Sequence, residues 1–265
     1  MTGALVDDLG ATLPVDPAQV RRVVSLVPSL TESVAASAPG LLVGATDWCT
    51  HPADLDVPRV GGTKNPRVPD VVALEPDLVL ANEEENRGED IEALRAAGVP
   101  VWVTAPRTLA QAFLSLRRML AACGVAPPTW LDEARRAWSN TVDATPPYAR
   151  AVVPVWRRPW MVLGRDTFAG DVLAHLGVAN LYAEAVDRYP KVPLEELLAS
   201  APDLVVLPDE PYTFSADDGP ESFAGIRVAL VSGRHLTWYG PSLLEARDLL
   251  ERQLAAAAVA APPTE

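Results

Sequence analysis

The chain has 265 residues, 49% of them hydrophobic, and its 35 acidic against 22 basic side chains leave a net charge of −13 at pH 7. That balance excludes nucleic-acid and anionic-membrane binding, which need a basic patch, and no apolar run reaches the roughly 18 residues of a membrane span. Two cysteines, Cys49 and Cys123, in no CxxC spacing, exclude a disulfide framework and a zinc-ribbon type of site.

In chain order, the first twenty residues carry Asp7, Asp8 and Asp16 and no Lys or Arg before Arg21. A secretory leader needs the reverse: basic residues first, then an unbroken apolar run. The expectation is a cytoplasmic protein with two free thiols. Strand-like runs follow at VVSLV (23–27), LLVGAT (41–46), DLVLA (77–81) and VPVWVT (99–104). Their near-continuous hydrophobicity is that of parallel strands buried on both faces. Between them SLTESVAASA reads as a helix with Ser29 as N-cap and Glu32 completing a capping box. GEDIEALRAAG reads as a helix with acids in its first turn and Gly98 just past its end. Two helical stretches without strand follow, TLAQAFLSLRRMLAACG and TWLDEARRAWSNTVDA, punctuated by Pro127-Pro128 and Pro146-Pro147. The plan then resumes with strands AVVPVW (151–156), DLVVL (203–207) and VALVS (228–232). Helices are expected over DTFAGDVLAHLGV, VPLEELLASA and PSLLEARDLLERQLAAAA, before a frayed tail at 261–265.

Strand alternating with helix predicts βαβ units and parallel sheets. The phrase EPDLVLANEEEN (75–86) returns as APDLVVLPDEPY (201–212), which marks equivalent strands in two similar α/β lobes. The division expected is an N-terminal α/β lobe over 1–125, a linking helix over 126–146 and a C-terminal α/β lobe over 147–265.

In open parallel sheets, ligands bind beyond the carboxyl ends of the strands, so the loops there are the candidate site. They hold Pro28 and Ser29; Trp48, Cys49 and His51; Thr63, Lys64 and Asn65 of a GGTKN turn; Glu84 and Asn86; Trp156 and Trp160; Phe168; Glu210 and Tyr212; Trp238 and Tyr239. Four of the seven tryptophans fall in these loops. Either they pack lobe against lobe, or they wall a cleft for a large, flat, partly apolar ligand, where stacking adds about 0.5–1.5 kcal/mol per aromatic pair.

Catalytic signatures are missing: no Gly-x-Ser-x-Gly elbow, P-loop or GxGxxG follows a strand. His51, His175 and His235 are scattered, and His175 sits on the apolar face of its helix. Cys49 with His51 would make a metal pair, and Glu84 with Glu210 an acid pair, but neither comes with a nucleophile or a full ligand set. The reading is a non-enzyme without a required cofactor or resident metal.

VSLVPSLTE, VGATDW, VGGTKNPRVPDVVALEPDLVLAN and AAGVPVWVT, followed by WRRPWMVLGRDTFAGDVLAHLGVANL and VPLEELLASAPDLVVLPDEPY, resemble the class III, or helical-backbone metal receptor, solute-binding proteins. The similarity covers roughly residues 21–250 and is greatest to the cobalamin-binding branch and its unexported relatives. It implies two α/β lobes joined by a long helix that limits closure. It also implies a corrinoid, haem or ferric siderophore chelate held in a cleft between the lobes, with an ABC permease as the candidate protein partner; the chain is expected to be a monomer. The family's docking acids fall at Glu195 and at Pro69, where Asp70 stands adjacent.

Overall fold

The computed structural model describes residues 5–139 and 147–260. The chain forms two compact units. The first comprises Met1–Pro106, Ala110–Glu133 and Tyr239–Pro241, and the second Arg107–Leu109, Ala134–Trp238 and Ser242–Glu265.

The first unit runs β1 (Val23–Ser25), α1 (Pro28–Ser37), β2 (Leu42–Ala45), α2 (Val68–Ala73), β3 (Leu78–Asn82), α3 (Gly88–Ala96), β4 (Val101–Thr104) and α4 (Leu109–Ala122). Its four strands pair in parallel in the order β2-β1-β3-β4. All five residues of β3 are buried, which is why its sequence shows no alternation. Val24, Val79 and Val103 from three strands pack with Val71, Ile91 and Leu94 from the flanking helices. The first described residues also belong to this unit. Asp7 Oδ2 accepts from Val103 N at 3.2 Å, and Asp8 Oδ2 accepts from Ala105 N at 2.8 Å. Carboxylates thereby satisfy backbone donors along the edge strand β4.

α5 (Thr129–Trp138) begins in the first unit and ends in the second. Each end is pinned by an indole: Trp130 Nε1 donates to Ser37 Oγ at 3.0 Å, and Trp138 Nε1 to Leu243 O at 3.0 Å. Of the helix expected over 126–146, the part from 140 lies outside the described residues, as does the 261–265 tail.

The second unit runs β5 (Ala149–Val152), β6 (Pro154–Trp156), β7 (Met161–Val162), α6 (Phe168–His175), β8 (Val178–Asn180), α7 (Leu194–Ala199), β9 (Leu204–Pro208), β10 (Arg227–Val231), α8 (Gly233–Thr237), α9 (Leu243–Ala255) and β11 (Ala258–Val259). Its sheet order is β11-β10-β9-β5-β8, parallel except for β11. The single strand expected over AVVPVW is two. Pro154 brings no N–H to the parallel ladder, and from it the chain turns into an antiparallel pairing of β6 with β7.

A second correction concerns α1. Ser29 is not its N-cap: the helix starts at Pro28, Val27 occupies the cap position without a side-chain bond, and Ser29 is buried inside the first turn. Proline's fixed φ suits the first helical position, and it moves the start one residue ahead of the serine. Gly98 does fall where a left-handed residue is needed, at φ +80°, closing α3 with a bond from its N–H to Arg95 O.

The repeated phrase is a lock at the amino ends of the two sheets. Glu75 after α2 and Ala201 after α7 both take φ +47°, the left-handed turn that ends a helix, and each is followed by proline. The next residue then anchors a neighbouring strand. Asp77 Oδ2 accepts from Arg21 N and Arg22 N at 2.8 and 2.9 Å, and Asp203 Oδ2 from Arg150 N at 2.9 Å. The arginines complete the match: Arg22 donates to Leu74 O and Glu75 O, and Arg150 to Ala201 O, using the carbonyls a helix end leaves over.

Candidate functional site

In the first unit the carboxyl ends of β1 to β4 meet a polar network built on asparagine. Asn82, the last residue of β3, accepts at Oδ1 from Glu84 N and Glu85 N (2.7 and 3.0 Å), which folds the acidic stretch into a tight turn. Its amide donates to Thr104 O at 3.0 Å and to Tyr239 Oη at 2.7 Å. Tyr239 arrives from far along the chain, is buried, and lies 2.9 Å from Thr104 Oγ1. Burial is the main reason its phenol is held well above the ordinary tyrosine pKa. Gly240 then passes so close to α1 that a Cβ there would lie 2.9 Å from Ser33 Oγ and 3.1 Å from Ser29 O.

Asn86 ties the acidic turn to the GGTKN turn, donating to Thr63 O at 2.9 Å, and Lys64 Nζ donates to Glu84 O. Thr63, Lys64, Glu84 and Asn86 are therefore one connected edge. Trp48 adjoins it: a Cβ on Gly62 would lie 3.5 Å from the Trp48 Nε1. The indole itself is 66% exposed. Glu85 shows surface to solvent, yet the protein crowded around it desolvates its carboxyl and raises its pKa. Lys64 opposes this rise and Glu84 adds to it.

Other residues of the same loops are turned away from this edge or left in solvent. Cys49 is fully buried under the edge, its sulfur 3.0 Å from Thr31 Oγ1 and 3.1 Å from Thr46 Oγ1. Desolvation raises its pKa against the pull of those hydroxyls and of Arg59. His51 pairs through Nδ1 with Thr50 Oγ1 at 3.2 Å. Ser29 packs inside α1, with Pro28 at its start, and Asn65 is exposed in the turn. Among the described residues, no three His, Cys, Asp or Glu side chains are grouped to hold a metal ion. Burial pushes the Cys123 thiol up to about 12. Both thiols should therefore stay silent toward Ellman's reagent at pH 8 in the native protein, and two equivalents should appear only on unfolding. Rapid native labelling of Cys49 would show that the loop over it opens.

In the second unit the matching edge is aromatic. Trp156 at the end of β6 stands edge-on to Tyr212, ring centres 5.6 Å apart. Tyr212 leans on Phe214 at 4.6 Å, and Trp160 stacks flat on Phe214 at 6.0 Å and meets Phe223 edge-on at 5.3 Å. These contacts place Trp160 against the core cluster, whereas Trp156 remains 42% exposed. Arg157 runs beneath the cluster. It lies 5.3 Å over the Trp160 ring, bonds Asp218, and reaches Glu221 Oε1 at 2.5 Å. Phe168, the first residue of α6, is buried. Glu210 is half-buried and joined to Pro211 by a cis bond. Trp238 closes α8 under Arg234, which lies 5.8 Å above its ring.

Sequence reasoning missed Asn82, Thr104 and Asp218. Asn82 ends an obvious strand and was legible as such, while Thr104 takes its role from Tyr239, 135 residues on, and Asp218 from Arg157, 61 residues before it, as well as from nearby Tyr212.

The sequence profile of the periplasmic binding protein family matches residues 23–225. This chain belongs to that family. A vitamin B12-binding protein of Pectobacterium carotovorum is 23% identical over 97% of this chain and 94% of its own length. Among solved structures, the periplasmic vitamin B12 binding protein of Vibrio cholerae superposes with a TM-score of 0.70 at 19% identity, covering 89% of this chain and 97% of that one. A periplasmic haem-binding protein in complex with two haems does so with a TM-score of 0.72 at 25% identity, covering 88% and 97%. All are binding proteins of the helical-backbone metal receptor kind, and the two-sheet α/β architecture described above is theirs.

Proposed function

We propose that this periplasmic binding protein relative binds a metal-chelate ligand without transforming it, a corrinoid in first place and haem or a ferric siderophore after it. One observation carries the reading: each unit displays an indole open to solvent, Trp48 (66% exposed) in the loop after β2 of the first parallel sheet, and Trp156 (42% exposed) at the end of β6, which follows β5 of the second. Exposed aromatic rings there suit a flat, partly apolar ligand, and the relatives named for vitamin B12 and haem bind ligands of that shape. The polar edge of Thr63, Lys64, Glu84 and Asn86 would meet the amides or carboxylates such ligands carry at their rims.

Tryptophan-quenching titrations with cyanocobalamin and with haemin test the proposal. The wild type should saturate with one of them. Trp48→Ala and Trp156→Ala should each weaken binding about tenfold, as loss of roughly 1.4 kcal/mol of stacking implies, with melting temperature little changed. Trp160→Ala should instead lower the melting temperature, because its partners are core residues. No saturation by either ligand, or wild-type affinity in both exposed-indole variants, would refute the proposal.

The alternative is a receptor for an ABC importer; the docking acid that the resemblance places at Glu195 stands exposed in the first turn of α7. Asp70, exposed in the first turn of α2, is engaged by Arg67 at 2.5 Å.

A further inference from the structure

The second unit's exposed indole stands on a charged scaffold that the ligand-binding reading leaves unexplained. Tyr212 Oη donates to Asp218 Oδ2 at 2.6 Å. Arg157, only 14% exposed at its side chain, bonds the other Asp218 oxygen and also reaches Glu221 Oε1 at 2.5 Å and Ser222 Oγ at 3.2 Å. Glu221 is fixed in turn by Gly219 N at 2.6 Å, and the turn carrying Asp218 is closed by Ser215 N bonding Asp218 O at 3.1 Å. The chain of bonds therefore runs from Arg157 through Asp218 to the tyrosine hydroxyl. The tyrosine ring then sets the edge-on contact with Trp156, at 5.6 Å and 80°.

Tyr212 is partly buried and leans on Phe214 at 4.6 Å, and its hydroxyl bond adds a second fixed point at the far end of the ring. A hydroxyl donating to a carboxylate is among the stronger hydrogen bonds a side chain makes, and here the carboxylate is itself held by a guanidinium on two fixed partners. The Asp218 carboxyl is held below its ordinary value, first by the tyrosine hydroxyl and then, against some desolvation, by Arg157, so the acceptor stays ionised. Arg157 also adds a cation over Trp160, which joins the scaffold to the inner half of the same aromatic row. Aromatic pairs gain their extra attraction from a set angle between rings, and pre-setting that angle lowers the ordering cost of binding.

We propose that Asp218, gripped by Arg157, is a positioning residue: it fixes the Tyr212 ring against Trp156 so that the second unit presents a preorganised aromatic face to the flat ligand. This rests on the ligand reading above, and the test separates the two. Asp218→Ala, Asp218→Asn and Tyr212→Phe are compared with the wild type in two measurements: near-ultraviolet circular dichroism without ligand, and affinity for cyanocobalamin and for haemin by tryptophan quenching. Asp218→Ala and Tyr212→Phe should diminish the near-ultraviolet signal and weaken the probe that binds by about tenfold, the scale of one ring pair. Asp218→Asn, which keeps an oxygen for the hydroxyl, should recover most of both. An unchanged near-ultraviolet spectrum in Asp218→Ala overturns the proposal, and so does a changed spectrum with wild-type affinity. If the wild type binds neither probe, the ligand reading fails, and the spectra alone decide whether Asp218 fixes the ring pair.

Discussion

Tyr239→Ala is expected to unfold the first unit at markedly lower temperature, with a loss of about 3–5 kcal/mol, the range for emptying a large aromatic site in a core. Two effects add. The ring is buried, so its removal leaves a cavity and forfeits its packing. Its hydroxyl also serves two buried polar groups, Asn82 Nδ2 at 2.7 Å and Thr104 Oγ1 at 2.9 Å, and buried groups that lose a partner keep the cost of their desolvation. Tyr239→Phe separates the effects. It keeps the ring and should cost only about 1–2 kcal/mol, because Asn82 Nδ2 retains Thr104 O and Thr104 Oγ1 retains Ala81 O. Denaturant titrations of the three proteins measure this. A Tyr239→Phe loss as large as that of Tyr239→Ala would mean that the hydroxyl network, not the ring, holds the segment.

The contrast between Tyr239 and Asp218 shows what the sequence could and could not reveal. The buried strands were legible because a strand covered on both faces must be apolar throughout: all five residues of β3 and all five of β9 are buried. Loops at their carboxyl ends followed from topology alone, and Trp48, Thr63, Lys64, Glu84, Asn86, Trp156 and Tyr212 do stand on such edges. Direction within a loop did not follow. Trp48 is exposed and its neighbour Cys49 fully buried, a difference set by Thr31 of α1 and Thr46 of the same loop meeting the sulfur. Trp156 and Trp160 looked equivalent in WRRPW, yet only Trp160 meets Phe223, which comes from 63 residues downstream. Local pattern also misplaced the start of α1, because a proline at the first helical position and a serine at the cap compete for one boundary, and Pro28 prevailed. Asp218 had no local signal at all, since its role is defined by Tyr212 and Arg157.

Asp77→Ala should be the other costly change, although the residue lies at the opposite end of the sheet from the proposed ligand face. One carboxylate oxygen accepts from two consecutive backbone donors, Arg21 N and Arg22 N, while Asp77 N donates to Arg22 O at 2.9 Å. Removing the carboxylate leaves both donors to water at the point where β1 and β3 are brought into register, Val23 opposite Leu78. Hydrogen bonds to a charged group contribute about 1.5–3 kcal/mol each when shielded. In this partly solvated place a total near 2 kcal/mol is expected, lowering the melting temperature by roughly 4–8 °C. Ligand affinity should be untouched, which distinguishes a strand lock from a site residue. Asp203 holds the equivalent place in the second unit, and its carboxyl is kept below the ordinary aspartate value chiefly by the bond from Arg150 N. A depressed native pKa means the folded state prefers the carboxylate. The Asp203 contribution is therefore present above the unfolded value of about 3.9 and fades as pH falls through the folded one. The stability gap between wild type and Asp203→Ala should accordingly hold at neutral pH and narrow below about pH 4. A gap that does not change on acidification would mean that the aspartate acts through its shape rather than its charge.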